Sequence, residues 1–132
     1  MDMSPEFLML GLTLVLAVVQ ILLAASARTA ELGLKWNAGA RDGQTPPAGA
    51  LAGRLIRAQA NLFETLPLFA AAVIMAEVAG KQGEITFIGA HLYFFGRLIY
   101  LPLYALGVAY VRSLAWVVSL AGLLMILFAL FV

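Results

Sequence analysis

The sequence predicts an all-α integral membrane protein, a bundle of four transmembrane helices forming one domain over residues 1–132. Two observations carry that expectation. Hydrophobic residues make up 64% of the 132 and charged residues only 11%, and the mean hydropathy is +1.00, which is more apolar surface than a water-soluble core of this length encloses. The apolar residues also gather into stretches of about 20, the number that crosses a ~30 Å hydrocarbon layer at ~1.5 Å per residue.

The first helix is expected at about 6–28. Pro5 and Glu6 suit a helix start, proline in the first turn and an acid at the positive end of the dipole, and apolar residues then run from Phe7 to Ala27. The run resembles a signal peptide in outline. It lacks a basic leading segment and a plain cleavage site, so it is read as a retained helix. Residues 29–53 carry Asn37, Gly39, Gly43, Pro46, Pro47 and Gly49, a composition that predicts one long loop. The second helix is placed at about 54–79 and is followed by the turn Gly80-Lys81-Gln82-Gly83-Glu84. A third helix follows at about 85–108. The fourth, at about 114–132, holds no charge and a single serine, Ser119, and reads as scaffold. Gly89, Gly96 and Gly107 suggest close helix packing, and Pro67 and Pro102 suggest kinks. Trp36 and Trp116 are read as interface anchors.

Basic residues set the expected orientation. Arg28, Lys35 and Arg41 lie in the first loop, Arg54 and Arg57 at its exit and Arg112 in the third connection, whereas Lys81 stands alone on the other side. Loops one and three are therefore expected in the cytoplasm and both termini opposite, in the inner membrane if the host is bacterial. A net charge of +1 without a basic cluster argues against a nucleic-acid partner. The chain has no cysteine and one histidine, His91, so neither a metal site nor a histidine-based triad is expected. Glu77 and Lys81, four residues apart, are read as a surface pair.

Charges inside the spans are the anomaly. Arg54, Arg57, Asn61 and Glu64 follow one another at offsets of 3, 4 and 3 along one stripe of the second helix. A charge as deep as Glu64 costs at least ~2.5 kcal/mol unless it is paired. Arg97, Tyr100 and Tyr104, at offsets of 3 and 4, form a stripe on the third helix. Because the two helices run antiparallel, the stripes can face each other as one polar pocket with Arg112 at its mouth. Two readings stand. One is a structural network in which Arg97 or Arg57 neutralises Glu64 while the tyrosines mark the aromatic belt. The other is a site for an anionic ligand, favoured because more arginines converge than one carboxylate requires. A proton or ion path is a third idea, but the stripe stops midway and the fourth helix offers no continuation.

The segment Arg57-Ala58-Gln59-Ala60-Asn61-Leu62-Phe63-Glu64-Thr65-Leu66-Pro67, with its Arg-x3-Asn-x2-Glu-x2-Pro pattern, resembles the signature of the MAPEG family, membrane-associated proteins in eicosanoid and glutathione metabolism. Gly96-Arg97-Leu98-Ile99-Tyr100, then Tyr104 and Arg112-Ser113, are similar to the family's second motif. The resemblance extends over nearly the whole chain. It implies a homotrimer with glutathione bound between neighbouring subunits near the cytoplasmic face, and a lipophilic electrophile or lipid arriving from the bilayer. Carried over by position, Arg57, Asn61, Glu64, Tyr100 and Tyr104 hold glutathione, Arg97 supports the pocket, Arg28, Arg54 and Gln59 contribute, and Arg112 is catalytic. The step from Tyr104 to Arg112 is one residue off the pattern of one branch of the family, while Arg112-Ser113 matches another branch. Thr65 stands where some relatives have tyrosine. The activity implied is that of a glutathione-dependent membrane transferase, with peroxidase activity as an extension. The alternative is a non-catalytic lipid-binding or scaffold member.

Overall fold

The structure, a computed structural model, describes residues 2–132. Five helices follow in order: α1 Pro5–Leu32, α2 Leu34–Ala38, α3 Ala50–Val78, α4 Glu84–Ala105 and α5 Tyr110–Leu130, with no strand among the described residues. All but the five-residue α2 are long and apolar enough to cross a membrane. Below, the connection end is the end bearing the α1–α3 and α4–α5 links, and the terminal end bears both chain termini and the α3–α4 turn.

The helix limits depart from those read off hydropathy, and the reason is physical. A hydropathy pattern marks where apolar side chains stop, whereas a helix can continue into the interface on its own hydrogen bonds. Thus α1 runs to Leu32 and α3 begins at Ala50 rather than near 54, giving 28 and 29 residues, or about 42 Å each against a ~30 Å hydrocarbon layer. The residues of 29–53 are consequently not one irregular loop, since they include the end of α1, all of α2 and the start of α3. At the other link α4 stops at Ala105 and α5 already begins at Tyr110, so Arg112 lies in the first turn of a helix instead of in a loop.

Local chemistry accounts for the ends. Ser4 caps α1 by accepting from the Phe7 amide at 3.2 Å, with Pro5 in the first helical position. Gly107, at φ +76°, ends α4 in a Schellman turn: the Gly107 amide donates to the Tyr104 carbonyl and the Val108 amide to that of Leu103, each at 3.0 Å. Gly80, at φ +68°, ends α3 the same way, the Lys81 amide reaching the Ala76 carbonyl at 2.9 Å. The role expected of Gly107 in helix packing is thus a turn-making one.

Packing is tightest between α4 and α5. A Cβ on Gly89 would lie 2.6 Å from the Gly122 carbonyl oxygen, and one on Gly96 would lie 3.0 Å from the Ala115 carbonyl oxygen, so these small residues let two backbones touch, as helices in lipid commonly do. Leu62, Leu66 and Phe69 of α3 meet Tyr93 and Phe94 of α4 and Leu123 and Ile126 of α5 in the main apolar core. The Phe69 and Tyr93 rings stack at 3.9 Å, and the Thr65 and Tyr93 hydroxyls share a hydrogen bond of 2.8 Å.

At the terminal end, Glu6 is buried and accepts from the Thr86 hydroxyl at 2.7 Å, and that hydroxyl accepts from the Gly83 amide at 2.9 Å. Glu77 and Lys81 do not pair with each other. Glu77 instead takes hydrogen bonds from Ser4 Oγ at 3.0 Å and from Gln82, while Lys81 Nζ donates to the Val132 carbonyl at 2.8 Å, nearby donors and acceptors winning over the i, i+4 partner.

A cationic cleft between three helices

Four contacts set the register of α3 against the antiparallel α4. Thr65 meets Tyr93, Asn61 Oδ1 accepts from Arg97 Nη1 at 2.8 Å, Arg57 Nε donates to the Tyr104 hydroxyl at 3.2 Å, and Arg54 Nη1 reaches the Ala105 carbonyl at 3.4 Å. The two polar stripes therefore do meet, over the half of the bundle nearer the connection end. There they border a cleft of about 480 Å³ lined by Arg57 and Asn61 from α3, Tyr100 and Tyr104 from α4, and Arg112, Ser113, Trp116 and Val117 from α5.

Cations and aromatic rings alternate along it. The Arg97 guanidinium sits 4.3 Å from the Tyr100 ring centre, Tyr100 meets Tyr104 edge to face at 5.5 Å, and Tyr104 lies between the guanidinium groups of Arg112, at 4.5 Å, and Arg57, at 5.9 Å. Each such contact favours a fixed guanidinium over a mobile one by ~0.5–2 kcal/mol. No carboxylate lines the cleft, so its field is positive.

Glu64 does not neutralise Arg97 or Arg57 within the chain. The single ion pair among the described residues joins Arg28 to Glu31 at 2.9 Å, and Glu64 is exposed on the outer side of α3. At about 100° per residue the stripe from Arg54 to Glu64 is ~80° wide. Arg54 and Asn61 fall on its inner edge, facing α4, and Arg57 and Glu64 on its outer edge. Gln59, some 160° from Asn61 by the same rule, lies off the stripe and outside the cleft. Arg54 stays near the site but attends to structure, reaching the last carbonyl of α4 and packing on Gly107. Arg28 turns away to Glu31, to the Pro46 carbonyl and to the Trp36 ring, 5.9 Å distant. Of the ten site residues expected from the sequence, Arg57, Asn61, Tyr100, Tyr104 and Arg112 line the cleft, Arg97 lies beneath it, and Arg28, Arg54, Gln59 and Glu64 do not line it.

The α5 wall was missed by sequence reasoning. Ser113, Trp116 and Val117 line the cleft, so the last helix is more than scaffold and Trp116 faces a pocket. The signal was present in the spacing: Arg112 and Trp116 are four apart, and Ser113 and Val117 four apart, one face of a helix if the helix includes them. Placing the helix start at 114 hid that face.

A family model described as the MAPEG family matches residues 9–132. The chain belongs to the MAPEG family. No curated protein and no solved structure matches it. Membership places this MAPEG chain among the membrane proteins of glutathione and eicosanoid metabolism, and the cleft is lined by some residues from each of the two family-like motifs, Arg57 and Asn61 from the first and Tyr100, Tyr104, Arg112 and Ser113 from the second. Among the described residues no group of three His, Asp or Glu stands close enough to hold a metal, and His91 Nδ1 is engaged at 2.7 Å with the Phe87 carbonyl of its own helix.

Proposed function

We propose that this MAPEG protein is a glutathione-dependent membrane transferase whose thiol-activating group is Arg112. The observation that carries the reading is the cleft itself: two arginines, two tyrosines and an amide converge with no carboxylate among them. Glutathione brings two carboxylates, peptide groups and a thiol. Arg57 and Arg112 offer forked donors for a carboxylate or a thiolate, and Tyr104 holds both by their π-faces.

The chemistry follows from charge. A guanidinium beside the thiol favours the thiolate, the nucleophilic form. Its sulfur attacks an electrophilic carbon of the lipophile, a C–S bond forms, and the leaving group departs with its electron pair, or an epoxide oxygen opens and takes up the proton the thiol released. With a lipid hydroperoxide the thiolate would attack the terminal oxygen, the O–O bond breaking as the lipid alcohol leaves, and a second glutathione would convert the resulting sulfenic acid to the disulfide and water, the peroxidase extension of the same site. Arg112 lies in the first turn of α5, so backbone and side chain both present positive potential to the sulfur.

Glu64 supports a site shared between subunits. It stands about 21 Å from the start of α3, is exposed in the single chain and has no ion-pair partner. A bare carboxylate at that depth is not stable against lipid. A homotrimer, as the family resemblance implies, would cover this face and bring Glu64 to the amino group of a glutathione seated against a neighbouring copy. In this reading the connection end lies in the cytoplasm, where glutathione is abundant.

The test is a titration of purified protein with glutathione across pH, following thiolate absorbance. Thiolate is expected in the wild type, binding without thiolate in Arg112→Ala, and weakened binding in Glu64→Ala. Glutathione bound but never ionised by the wild type would favour a non-catalytic lipid-binding or scaffold member. No binding at millimolar glutathione overturns the transferase reading.

A further inference from the structure

The first connection gathers cations that no carboxylate answers. Glu31 is already engaged, by the Arg28 guanidinium and by the Gly49 amide at 2.8 Å. Lys35 and Arg41 have no ion-pair partner, and Asp42, although next to Arg41, pairs with neither. Arg41 is nonetheless held in place. It is the one non-glycine residue at positive φ among the described residues, +60°, a region that an L side chain enters at a cost. Its guanidinium lies 4.5 Å from the Trp36 ring centre, and its Nη2 donates to the Asn37 carbonyl at 3.0 Å and to Asn37 Oδ1 at 2.6 Å. A guanidinium has donors only, so the Asn37 amide gives its oxygen to Arg41 and keeps its NH2 to donate elsewhere.

Asn37 also lines a groove of about 550 Å³ between α1 and α2, with Leu22, Ala25 and Thr29 of α1 and Leu34 of α2. The groove passes from apolar to polar along α1. Counted from Phe7, where the apolar run begins, Leu22 lies about 22 Å along the axis and Thr29 about 33 Å, on either side of the limit of a ~30 Å hydrocarbon layer. At the depth of Leu22 the surrounding medium is acyl chain. At the level of Thr29 and Asn37 it is headgroup, and there Lys35 and Arg41 add positive charge. We propose that the groove seats an anionic phospholipid of the leaflet at the connection end, one acyl chain lying against Leu22 and Ala25 and the phosphate met by Lys35, Arg41 and the Asn37 NH2. An apolar floor with a basic rim at the interface fits an amphiphile of that charge better than a soluble anion, which has nothing to place against Leu22. The site is separate from the glutathione reading, because the groove shares no lining residue with the cationic cleft.

The test is native mass spectrometry of the full chain released from bilayers of equal phosphatidylglycerol and phosphatidylcholine, counting the lipids retained. The wild type is expected to retain phosphatidylglycerol over phosphatidylcholine by about tenfold or more, since each basic residue near an anionic surface supplies roughly fivefold. Lys35→Gln and Arg41→Gln are each expected to reduce that preference about three- to fivefold, and the double variant to bring the two lipids within about twofold of each other. Lys35 is exposed, so its variant reads out even if Arg41→Gln loosens the connection. Ala25→Phe, on an exposed face of α1, fills the groove and is expected to remove the bound lipid whatever its headgroup. Lys81→Gln removes a charge at the terminal end and is expected to leave the preference unchanged. An equal loss in Lys81→Gln would mark general charge attraction and overturn the proposal. Equal retention of both lipids by the wild type, or a preference that survives in the double variant, overturns it as well. If the groove variants change the number of copies in the assembly and not the lipid retained, a second copy occupies the groove and the proposal falls. Glycerol phosphate, which has the anion without the chains, is expected not to displace the lipid at millimolar concentration, and displacement would reassign the site to a soluble phosphate.

Discussion

The two ends of the bundle treat buried polar groups in opposite ways. At the terminal end Glu6 is matched by the Thr86 hydroxyl, itself held by the Gly83 amide, and Glu77 is matched by Ser4 and Gln82. These carboxylates are answered by neutral donors of the same chain. Toward the connection end donors exceed acceptors: Arg97 keeps two nitrogens without partners, no carboxylate enters the cleft, and Glu64 faces outward without an ion-pair partner. A buried group left unsatisfied costs ~1–3 kcal/mol, more when charged. Selection for stability alone would have closed the second end as it closed the first. On the proposed reading, the first end is structure and the second is completed by a ligand and by a second copy.

Substitutions can break or sharpen this contrast. The largest effect is expected from Arg112→Ala. On the proposed chemistry it lowers turnover by about 10²-fold or more while the melting temperature stays near that of the wild type, because the side chain is half-exposed and its one contact across helices is the stacking on Tyr104. At the opposite end Thr86→Val keeps the volume and strands the Glu6 carboxylate, costing ~1–3 kcal/mol of stability with glutathione affinity unchanged. Loss of glutathione affinity in that variant would remove the division between the ends. Tyr104→Phe deletes the acceptor for Arg57 but keeps the ring between the two guanidinium groups, so affinity is expected to fall only about 2- to 10-fold. Smallest of all, Gln59→Ala should leave affinity within about twofold of wild type, the limit for a surface substitution away from the site. A larger drop would return Gln59 to the ligand.

Much of this was legible in the sequence. Four spans, their polar stripes and their family resemblance followed from hydrophobic length, the 3.6-residue period and two motifs, because the bilayer forces satisfied backbone into helices. The helix ends were less legible. The limit of an apolar run is not the limit of a helix, and the four residues lost at the start of α5 concealed the Ser113, Trp116 and Val117 wall. Side-chain pairing was least legible. Sequence spacing placed Arg57, Asn61 and Glu64 on one stripe, but ~60° around the helix is enough to send Asn61 inward to Arg97 and Glu64 outward. Arg28 was likewise captured by Glu31 and Pro46, contacts that depend on how the first connection folds back, which periodicity does not encode.

The contrast between the ends is tested most directly by amide hydrogen exchange on the membrane-embedded protein with and without saturating glutathione. A ligand that completes one end should slow exchange in the segments carrying Arg57 to Glu64, Tyr100 to Tyr104 and Arg112 to Val117, and leave Ser4 to Met9 and Glu77 to Thr86 unchanged. Protection centred on the terminal end, or no protection anywhere at millimolar glutathione, would contradict the account.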